Sequence, residues 1–237
     1  MINNEKFISS NEYWGRGIVI AGIGTKTALA YFIMGRSENS RNRIFYEKGN
    51  SIAIAPFDEA KLEDPSLIIY YPIKTAGKHI IVTNGDQTDT IEAFLKEGKT
   101  FEEALRTREF EPDGPHFTPR ISGIVDTESG DFKLSVLKSA TGEGTECDRF
   151  FYEYPCPSGT GRFIHTYMGN GKKLPSFEGE PHLMDFGKFA ADVSAEEFGQ
   201  LFWTALNDDN KVSLCAVTFD RATGAKDVSI FNKRMGD

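Results

Sequence analysis

The chain has 237 residues, with 27 lysines and arginines against 35 aspartates and glutamates, so its formal net charge is −8 when the histidines are neutral. This acidic balance argues against nucleic acid or an anionic membrane as a partner, because both require a basic face that neutralises phosphates. Hydrophobic residues make up 39% of the chain, which supplies a core and excludes a disordered protein.

Short apolar runs, rich in β-branched and aromatic residues and bounded by Gly, Asn and Pro, predict many strands. The predicted strands cover residues 16–23, 27–34, 51–55, 67–73, 78–83, 120–126, 131–138, 147–154, 162–168, 211–219 and 226–232. Turn residues at 128–131 and 222–224 predict two hairpin connections.

Three segments have the apolar spacing of helices instead, at residues 86–97, 100–109 and 194–206. The second and third begin with Thr or Ser followed three residues later by Glu, a pair that caps a first helical turn. This order of elements predicts an α+β fold in which sheets are layered between helices, rather than alternating βαβ units. Since no linker or shift of composition divides the chain, we expect one domain over 1–237.

Cysteine and histidine positions favour a reducing compartment and no preformed zinc site. The three cysteines are widely spaced without a C-x-x-C pair, and the four histidines show no metal-binding spacing. The first residues are too polar for a signal peptide, and no apolar run is long enough for a membrane span. We therefore expect a cytoplasmic protein.

The loop GRSENSRNR, residues 35–43, is basic, with a net charge of +2 in a chain whose remainder carries −10. Its arginines and serines, among them Arg36, Ser37 and Arg43, are donors suited to phosphate oxygens. The alternative is an ordinary solvated loop.

The segment VTNGDQTDTI, residues 82–91, runs from a strand through Asn84 and Gly85 into a helix start. Helix N-terminal amides attract anions, and the Asn84 amide suits a neutral polar part of a ligand. The alternative is that Asp86 merely caps the helix.

The segment 108–122 is a Pro- and Gly-rich connection that carries several acid–base candidates, and two tyrosines end an earlier apolar run. These candidates are Glu109, Glu111, Asp113, His116 and Arg120, together with Tyr70 and Tyr71. Each is also compatible with a solvated or packed side chain. A further loop, 169–186, is long enough to be functional or mobile.

Taken in order, several motifs resemble those of the archaeal-type IMP cyclohydrolases. They are GRG at 15–17, Asn42-Arg43, an Asp-Pro pair before a tyrosine-bearing run, VTNGDQTDTI, FTPRIS and LPSFEGEP. The resemblance implies a four-layer α/β/β/α fold like that of the N-terminal-nucleophile hydrolases. It also implies closure of 5-formamidoimidazole-4-carboxamide ribonucleotide (FAICAR) to IMP, the last step of purine synthesis, with a small purine ribonucleotide as partner and no cofactor.

The resemblance further implies which residues act. Arg43, Tyr70 and Glu111 match positions near the reacting groups: Glu111 for proton transfer, Tyr70 as donor to the formyl oxygen, and Arg43 for the developing charge or the phosphate. The residues implied to hold the substrate are Arg36, Ser37, Asn84, Gly85 and Arg120. Tyr71 and Glu109 are alternatives to Tyr70 and Glu111, because each alignment needs a one-residue gap. The family more often has Ser-His where this chain has Asp86-Gln87.

Three functions fit these observations. The first is the cyclohydrolase reaction, the second is a purine-nucleotide-binding or sensing protein without turnover, and the third is hydrolysis of a small amide or formyl compound. A many-stranded acidic domain of this size also often forms a homo-oligomer through a sheet edge or helix face.

Overall fold

The structure is a computed structural model that describes residues 3–62, 65, 68–189 and 192–234. Within these ranges the chain is an α+β protein with two antiparallel sheets. The first sheet, as described, has six strands, which lie in the spatial order His182–Asp185 (β11), Thr160–His165 (β10), Arg16–Ile23 (β1), Lys26–Met34 (β2), Lys211–Asp220 (β12) and Lys226–Asn232 (β13).

The second sheet, over the described residues, has seven strands whose spatial order follows the chain. They are Ile44–Lys48 (β3), Ser51–Ala55 (β4), Ile73–Ala76 (β5), His79–Thr83 (β6), Arg120–Asp126 (β7), Phe132–Ser139 (β8) and Cys147–Tyr154 (β9). The helices are Asn4–Ser9 (α1), Glu38–Arg41 (α2), Gln87–Lys96 (α3), Phe101–Arg106 (α4) and Ala195–Ala205 (α5), with a 3-10 turn at Glu59–Lys61. No helix in these described ranges is both long and apolar enough to cross a bilayer.

Most predicted elements are confirmed to within a few residues at their ends. Both capping boxes form, since Thr100 and Ser194 accept hydrogen bonds from the amides of Glu103 and Glu197, whose carboxylates reach back. The hairpin turns at 128–131 and 222–224 connect β7 to β8 and β12 to β13.

One predicted strand is wrong. Where a strand was expected over 67–73, the described residues 68–72 have no regular strand and β5 begins only at Ile73, although the carbonyls of Tyr70 and Pro72 accept from the amides of Ile54 and Thr83; residue 67 lies outside the described ranges. Pro72 has no amide to donate to a ladder, which explains the late start. The short elements α1, α2, β3 and β11 were not predicted.

Three apolar clusters bind the layers together. Alternate residues of β1 point to opposite sides, so Ile18 and Ile20 join the cluster between the two sheets while Val19 joins the cluster beneath α1 and α5. A third cluster joins α3 and α4 to the second sheet, for example through Ile91 and Phe101. Each fully buried side chain of this size stabilises the fold by about 1.5–3 kcal/mol.

A stacked histidine pair lies within the first sheet. The rings of His165 and His182 are nearly parallel, at 4°, and their Nε2 atoms are 3.0 Å apart. Nδ1 of His165 lies 3.0 Å from the carbonyl oxygen of Tyr167, which only accepts, so that nitrogen carries the hydrogen and Nε2 of His165 accepts from His182. Burial lowers the pKa of both rings, because aromatic residues such as Trp14 surround them.

We expect this pair to destabilise the protein as the pH falls below about 6.5. The folded-state pKa values lie below the usual one, so the unfolded chain takes up protons first as the pH falls. The fully buried His165 alone should lower the free energy of unfolding by about 1.4 kcal/mol for each pH unit below its usual pKa. Urea unfolding of the wild type and of the double variant His165→Phe/His182→Phe between pH 7.5 and 5 measures this. The variant should show a shallower loss of stability, and equal slopes would contradict the assignment.

Candidate functional site

Five polar side chains meet at one end of the space between the sheets. Arg16 begins β1, Tyr31 lies in β2, Arg43 directly precedes β3, Tyr70 precedes β5, and Glu111 lies in the connection from α4 to β7. The antiparallel pairing of β1 with β2 places Tyr31 opposite Ile18, near Arg16. We call these five residues the polar cluster.

Arg16 is partly exposed, and its Nη1 donates to the carbonyl of Met34 at 3.1 Å. Burial by itself lowers the pKa of Arg16, but its neighbours Tyr13, Tyr70, Tyr31 and Glu111 outweigh that effect and raise it. A guanidinium that is always charged therefore faces the hydroxyls and the carboxyl of the cluster.

Arg43 is the largest buried side chain with unused donors. It is 1% exposed, and its Nε donates to the carbonyl of Ser40 at 3.0 Å. Neither Nη1 nor Nη2 has a hydrogen-bond partner among the described residues. Burial, together with the charge of Arg16, lowers the pKa of Arg43 to about 10, so it remains charged at neutral pH. Buried donors of this kind require an acceptor, and a ligand oxygen fits that requirement.

Glu111 is a buried carboxyl whose pKa lies near neutral. It is 6% exposed, and burial raises its pKa to about 7 although Arg16 and Arg120 oppose the shift. A group with a pKa near the working pH takes up and gives back a proton with comparable ease. Glu109, the alternative from the sequence, is exposed and lies 3.8 Å from Arg149.

Hydrogen bonds of Thr118 hold the loop that begins at Glu111. The amide of Glu111 donates to the carbonyl of Thr118 at 2.9 Å, and the amide of Thr118 donates to Asp113 at 2.6 Å. The Thr118 hydroxyl also contacts Asp113 and lies 2.5 Å from the hydroxyl of Tyr167. These bonds fix a Pro- and Gly-rich segment that has no regular structure of its own.

The side chains of Tyr70 and Tyr71 lie in different surroundings. The hydroxyl of Tyr70 lies 2.8 Å from that of Tyr31, and both rings are buried. Tyr71 is partly exposed, with the ammonium of Lys74 4.7 Å from its ring centre. Tyr70 therefore belongs to the polar cluster and Tyr71 does not.

Asn84 ties the start of α3 to β7. Its Nδ2 donates to the carbonyl of Pro119 at 2.9 Å, while its Oδ1 accepts from the amide of Ile121 at 2.8 Å and from Gln87 at 3.1 Å. Both ends of the amide are thus engaged within the fold. A direct contact of Asn84 with a ligand stays a prediction.

Arg120 is held by Asp86 and Gln87, at the start of α3. Its Nη1 donates to Gln87 at 2.6 Å and pairs with Asp86 at 2.9 Å. The expected cap by Asp86 is wrong: it occupies the N-cap position, but its carboxylate accepts from Arg108 and makes no capping bond. A Cβ on Gly85 would lie 2.3 Å from Nη1 of Arg120, so glycine leaves room for this guanidinium.

The basic loop separates its three arginines. Arg36 donates to Asn170 and to the carbonyl of Gly171, which belong to the connection from β10 to β11. The loop expected over 169–186 is therefore shorter, because its last residues include β11. Ser37 caps α2, and Arg41 donates to the carbonyl of Gly35. Only Arg43 enters the polar cluster, so phosphate binding by Arg36 and Ser37 stays a prediction.

Neither Arg16 nor Tyr31 was predicted as a site residue. Tyr31 lies in a run that reads as apolar core, and Arg16 drew notice only through the glycines beside it. A charged residue at the start of a strand that is otherwise apolar is the signal that identifies Arg16.

A cavity of about 640 Å³ lies elsewhere, where α4 meets the second sheet. His79, Phe101, Ile124, Lys133 and Tyr154 are among its lining residues. The ammonium of Lys133 is already paired with Glu102 and Glu153. We therefore place the candidate site at the polar cluster, which has unused buried donors and a carboxyl of raised pKa.

Comparison with known proteins identifies relatives. The profile of the family described as "IMP cyclohydrolase-like protein" matches residues 13–224. The IMP cyclohydrolase of Haloquadratum walsbyi is 30% identical over 121 residues, which are 49% of this chain and 58% of that protein. The IMP cyclohydrolase of Methanopyrus kandleri is 30% identical over 144 residues, which are 56% of this chain and 72% of the relative.

A third relative, the IMP cyclohydrolase of Methanosphaera stadtmanae, is 26% identical over 174 residues, or 70% of this chain and 84% of that protein. The chain spans little more than half the length of the Haloquadratum relative that it matches. The family profile, by contrast, covers most of the chain. This protein belongs to the IMP cyclohydrolase-like family.

Proposed function

We propose that this protein is an IMP cyclohydrolase, an enzyme that closes FAICAR to IMP with loss of water. The observation that carries the proposal is the buried Arg43, whose Nη atoms have no partner among the described residues, in one cluster with the raised-pKa carboxyl of Glu111. Ring closure needs these two elements: a fixed positive charge for the developing oxyanion and a proton carrier that works near neutral pH.

The first step joins the carboxamide nitrogen to the formyl carbon of the same molecule, so holding the two groups together supplies much of the catalysis. Glu111 takes a proton from the carboxamide nitrogen as the N–C bond forms. Tyr70 gives its proton to the formyl oxygen, and Arg43 stabilises the charge on that oxygen. The product of this step is a neutral ring that carries a hydroxyl.

The second step removes water from that ring. Glu111, now protonated, gives its proton to the hydroxyl as the C–O bond breaks. Tyr70, now a phenolate, takes the proton from the former formamide nitrogen. Both residues return to their starting states, and the sum is FAICAR converted to IMP and water without a cofactor.

The remaining substrate contacts follow from position and charge. We assign the dianionic phosphate to Arg36, which is partly exposed, and to the exposed Ser37, because both carry donors for phosphate oxygens. We place Asn84, Gly85 and Arg120 on the interior side of the proposed site, because the charge of Arg120 acts on Glu111 and Gly85 leaves room for that guanidinium. We assign all five to substrate binding.

We also infer the wider setting of this activity. The helices against the outer faces of both sheets support a four-layer α/β/β/α sandwich of the N-terminal-nucleophile-hydrolase type, as a single domain over residues 1–237. Biosynthesis of a purine nucleotide points to the cytoplasm. The exposed edge strands β9 and β13 offer surfaces for a homo-oligomer.

Incubation of the purified protein with FAICAR is expected to yield IMP, and chromatography measures the IMP that is formed. Absence of IMP above the enzyme-free background would contradict the proposal. Saturable binding of IMP without turnover would select a nucleotide-binding protein instead, and release of formate would select hydrolysis of the formyl group.

A further inference from the structure

Tyr31 is a tyrosine in the middle of an apolar strand, and its hydroxyl has one specific neighbour. The side chain is fully buried, and its ring stacks on Phe45 with the ring centres 5.7 Å apart. Among the described residues, the hydrogen bond of its hydroxyl is the 2.8 Å contact with the Tyr70 hydroxyl. The ring is therefore held in place, and the hydroxyl is aimed at Tyr70.

The direction of this hydrogen bond decides what Tyr70 can do. Burial raises the pKa of Tyr31 well above 10, and the neighbouring Tyr70 adds to the shift, so Tyr31 keeps its proton. A hydroxyl has one hydrogen to donate. When Tyr31 donates to Tyr70, the hydrogen of Tyr70 is free for a substrate oxygen.

Two positively charged side chains lie near the pair formed by Tyr31 and Tyr70. Arg16 and Arg43 act electrostatically on both tyrosines, since each tyrosine in turn raises the pKa of these arginines. A donor aimed at an oxygen that becomes charged during the reaction is worth more in the transition state than in the resting enzyme.

We propose that Tyr31 is a positioning residue of the reaction: its hydroxyl donates to Tyr70, orients the Tyr70 proton toward the substrate, and stabilises the phenolate left when that proton is transferred. This inference rests on the proposed cyclohydrolase function. Tyr31 acts through Tyr70, because among the described residues the Tyr70 hydroxyl is the hydrogen-bond partner of the Tyr31 hydroxyl.

Tyr31→Phe tests this role, because it removes one oxygen and keeps the packed ring. We expect kcat for IMP formation to fall about 10- to 100-fold, the effect of one hydrogen bond to a charged group. KM should change by less than about threefold, since the interaction is realised in the transition state. Tyr152→Phe is the matched control: its hydroxyl donates to the carbonyl of Gly179 on the outer strand β9, and kcat should stay unchanged.

A double-mutant cycle separates positioning from packing. In a Tyr70→Phe background the further change Tyr31→Phe should leave the residual kcat unaltered, because the group through which Tyr31 acts is already gone. An equal loss in both backgrounds would overturn the inference, as would a wild-type kcat for Tyr31→Phe in an active enzyme. A wild type that forms no IMP would instead refute the proposed function.

Discussion

Replacing Glu111 with Gln is expected to lower kcat for IMP formation by about 10²- to 10⁴-fold, because the amide has the shape of the protonated carboxyl but transfers no proton. The pH profile gives a second signature. Since the pKa of Glu111 is raised to about 7, the wild-type rate should change across neutral pH, and the residual rate of the variant should lack that inflection.

The same substitution is expected to stabilise the protein at alkaline pH. The folded-state pKa of Glu111, about 7, lies above its ordinary 4.5, so above pH 7 the fold holds a buried carboxylate that costs about 3 kcal/mol. Below pH 4.5 the carboxyl is neutral in both states and the cost disappears. Urea unfolding should therefore show Glu111→Gln more stable than wild type at pH 8, with the difference vanishing near pH 4.5.

Glu109→Gln is the matched control, because this exposed residue was the alternative assignment from the sequence. It should leave both the rate and the stability close to those of the wild type. Turnover by Glu111→Gln within about threefold of the wild type, with an unchanged pH profile, would remove Glu111 from proton transfer.

Replacing Arg43 with Met is expected to lower kcat/KM by about 10³-fold, because the variant lacks the fixed charge for the oxyanion. Its stability should rise by about 2 kcal/mol. The shift in the pKa of Arg43 from 12.5 to about 10 corresponds to a burial cost of about 3 kcal/mol, which the variant no longer has. The variant also loses the hydrogen bond to the carbonyl of Ser40, which destabilises it by about 1 kcal/mol. Differential scanning calorimetry and steady-state kinetics measure both effects.

Stabilisation of the protein by bound IMP tests independently whether Arg43 contacts the ligand. At a concentration of IMP 100 times its Kd, binding should stabilise the wild type by about 2.7 kcal/mol, and this gain should be absent in Arg43→Met. Arg221→Met is the contrasting control, since both Nη atoms of Arg221 donate within the fold, to the carbonyls of Lys26 and Gly24. It should lose stability and keep kcat. An IMP-dependent gain that persists in Arg43→Met would show that Arg43 does not contact the ligand.

These two variants share a physical basis. Arg43 and Glu111 are both buried with a shifted pKa, so we expect replacement of either one to stabilise the folded protein at neutral to alkaline pH and to impair the proposed reaction. Functional sites commonly contain buried charged groups that lower the stability of the free protein, which is a compromise between stability and function.

Much of the fold followed from local patterns. Alternating and continuous apolar runs predicted the long strands, because a residue that faces a core must be apolar wherever the strand pairs. The capping boxes at Thr100 and Ser194 were predicted for a similar reason, since both partners lie within one turn. The strand expected at 67–73 failed where Pro72 removes a ladder donor, which hydrophobicity alone does not report.

The sequence by itself determined the acidic α+β character of this protein, the positions of its long strands and helices, and its resemblance to a family through motifs in a fixed order. Only the tertiary structure decided that Tyr70 rather than Tyr71, and Glu111 rather than Glu109, enter one buried cluster. It also paired Tyr70 with Tyr31, 39 residues away, and left the Nη atoms of Arg43 without a partner among the described residues. Burial and hydrogen-bond partners depend on segments that are distant in the chain, and these long-range contacts set the charge and pKa on which a reaction depends.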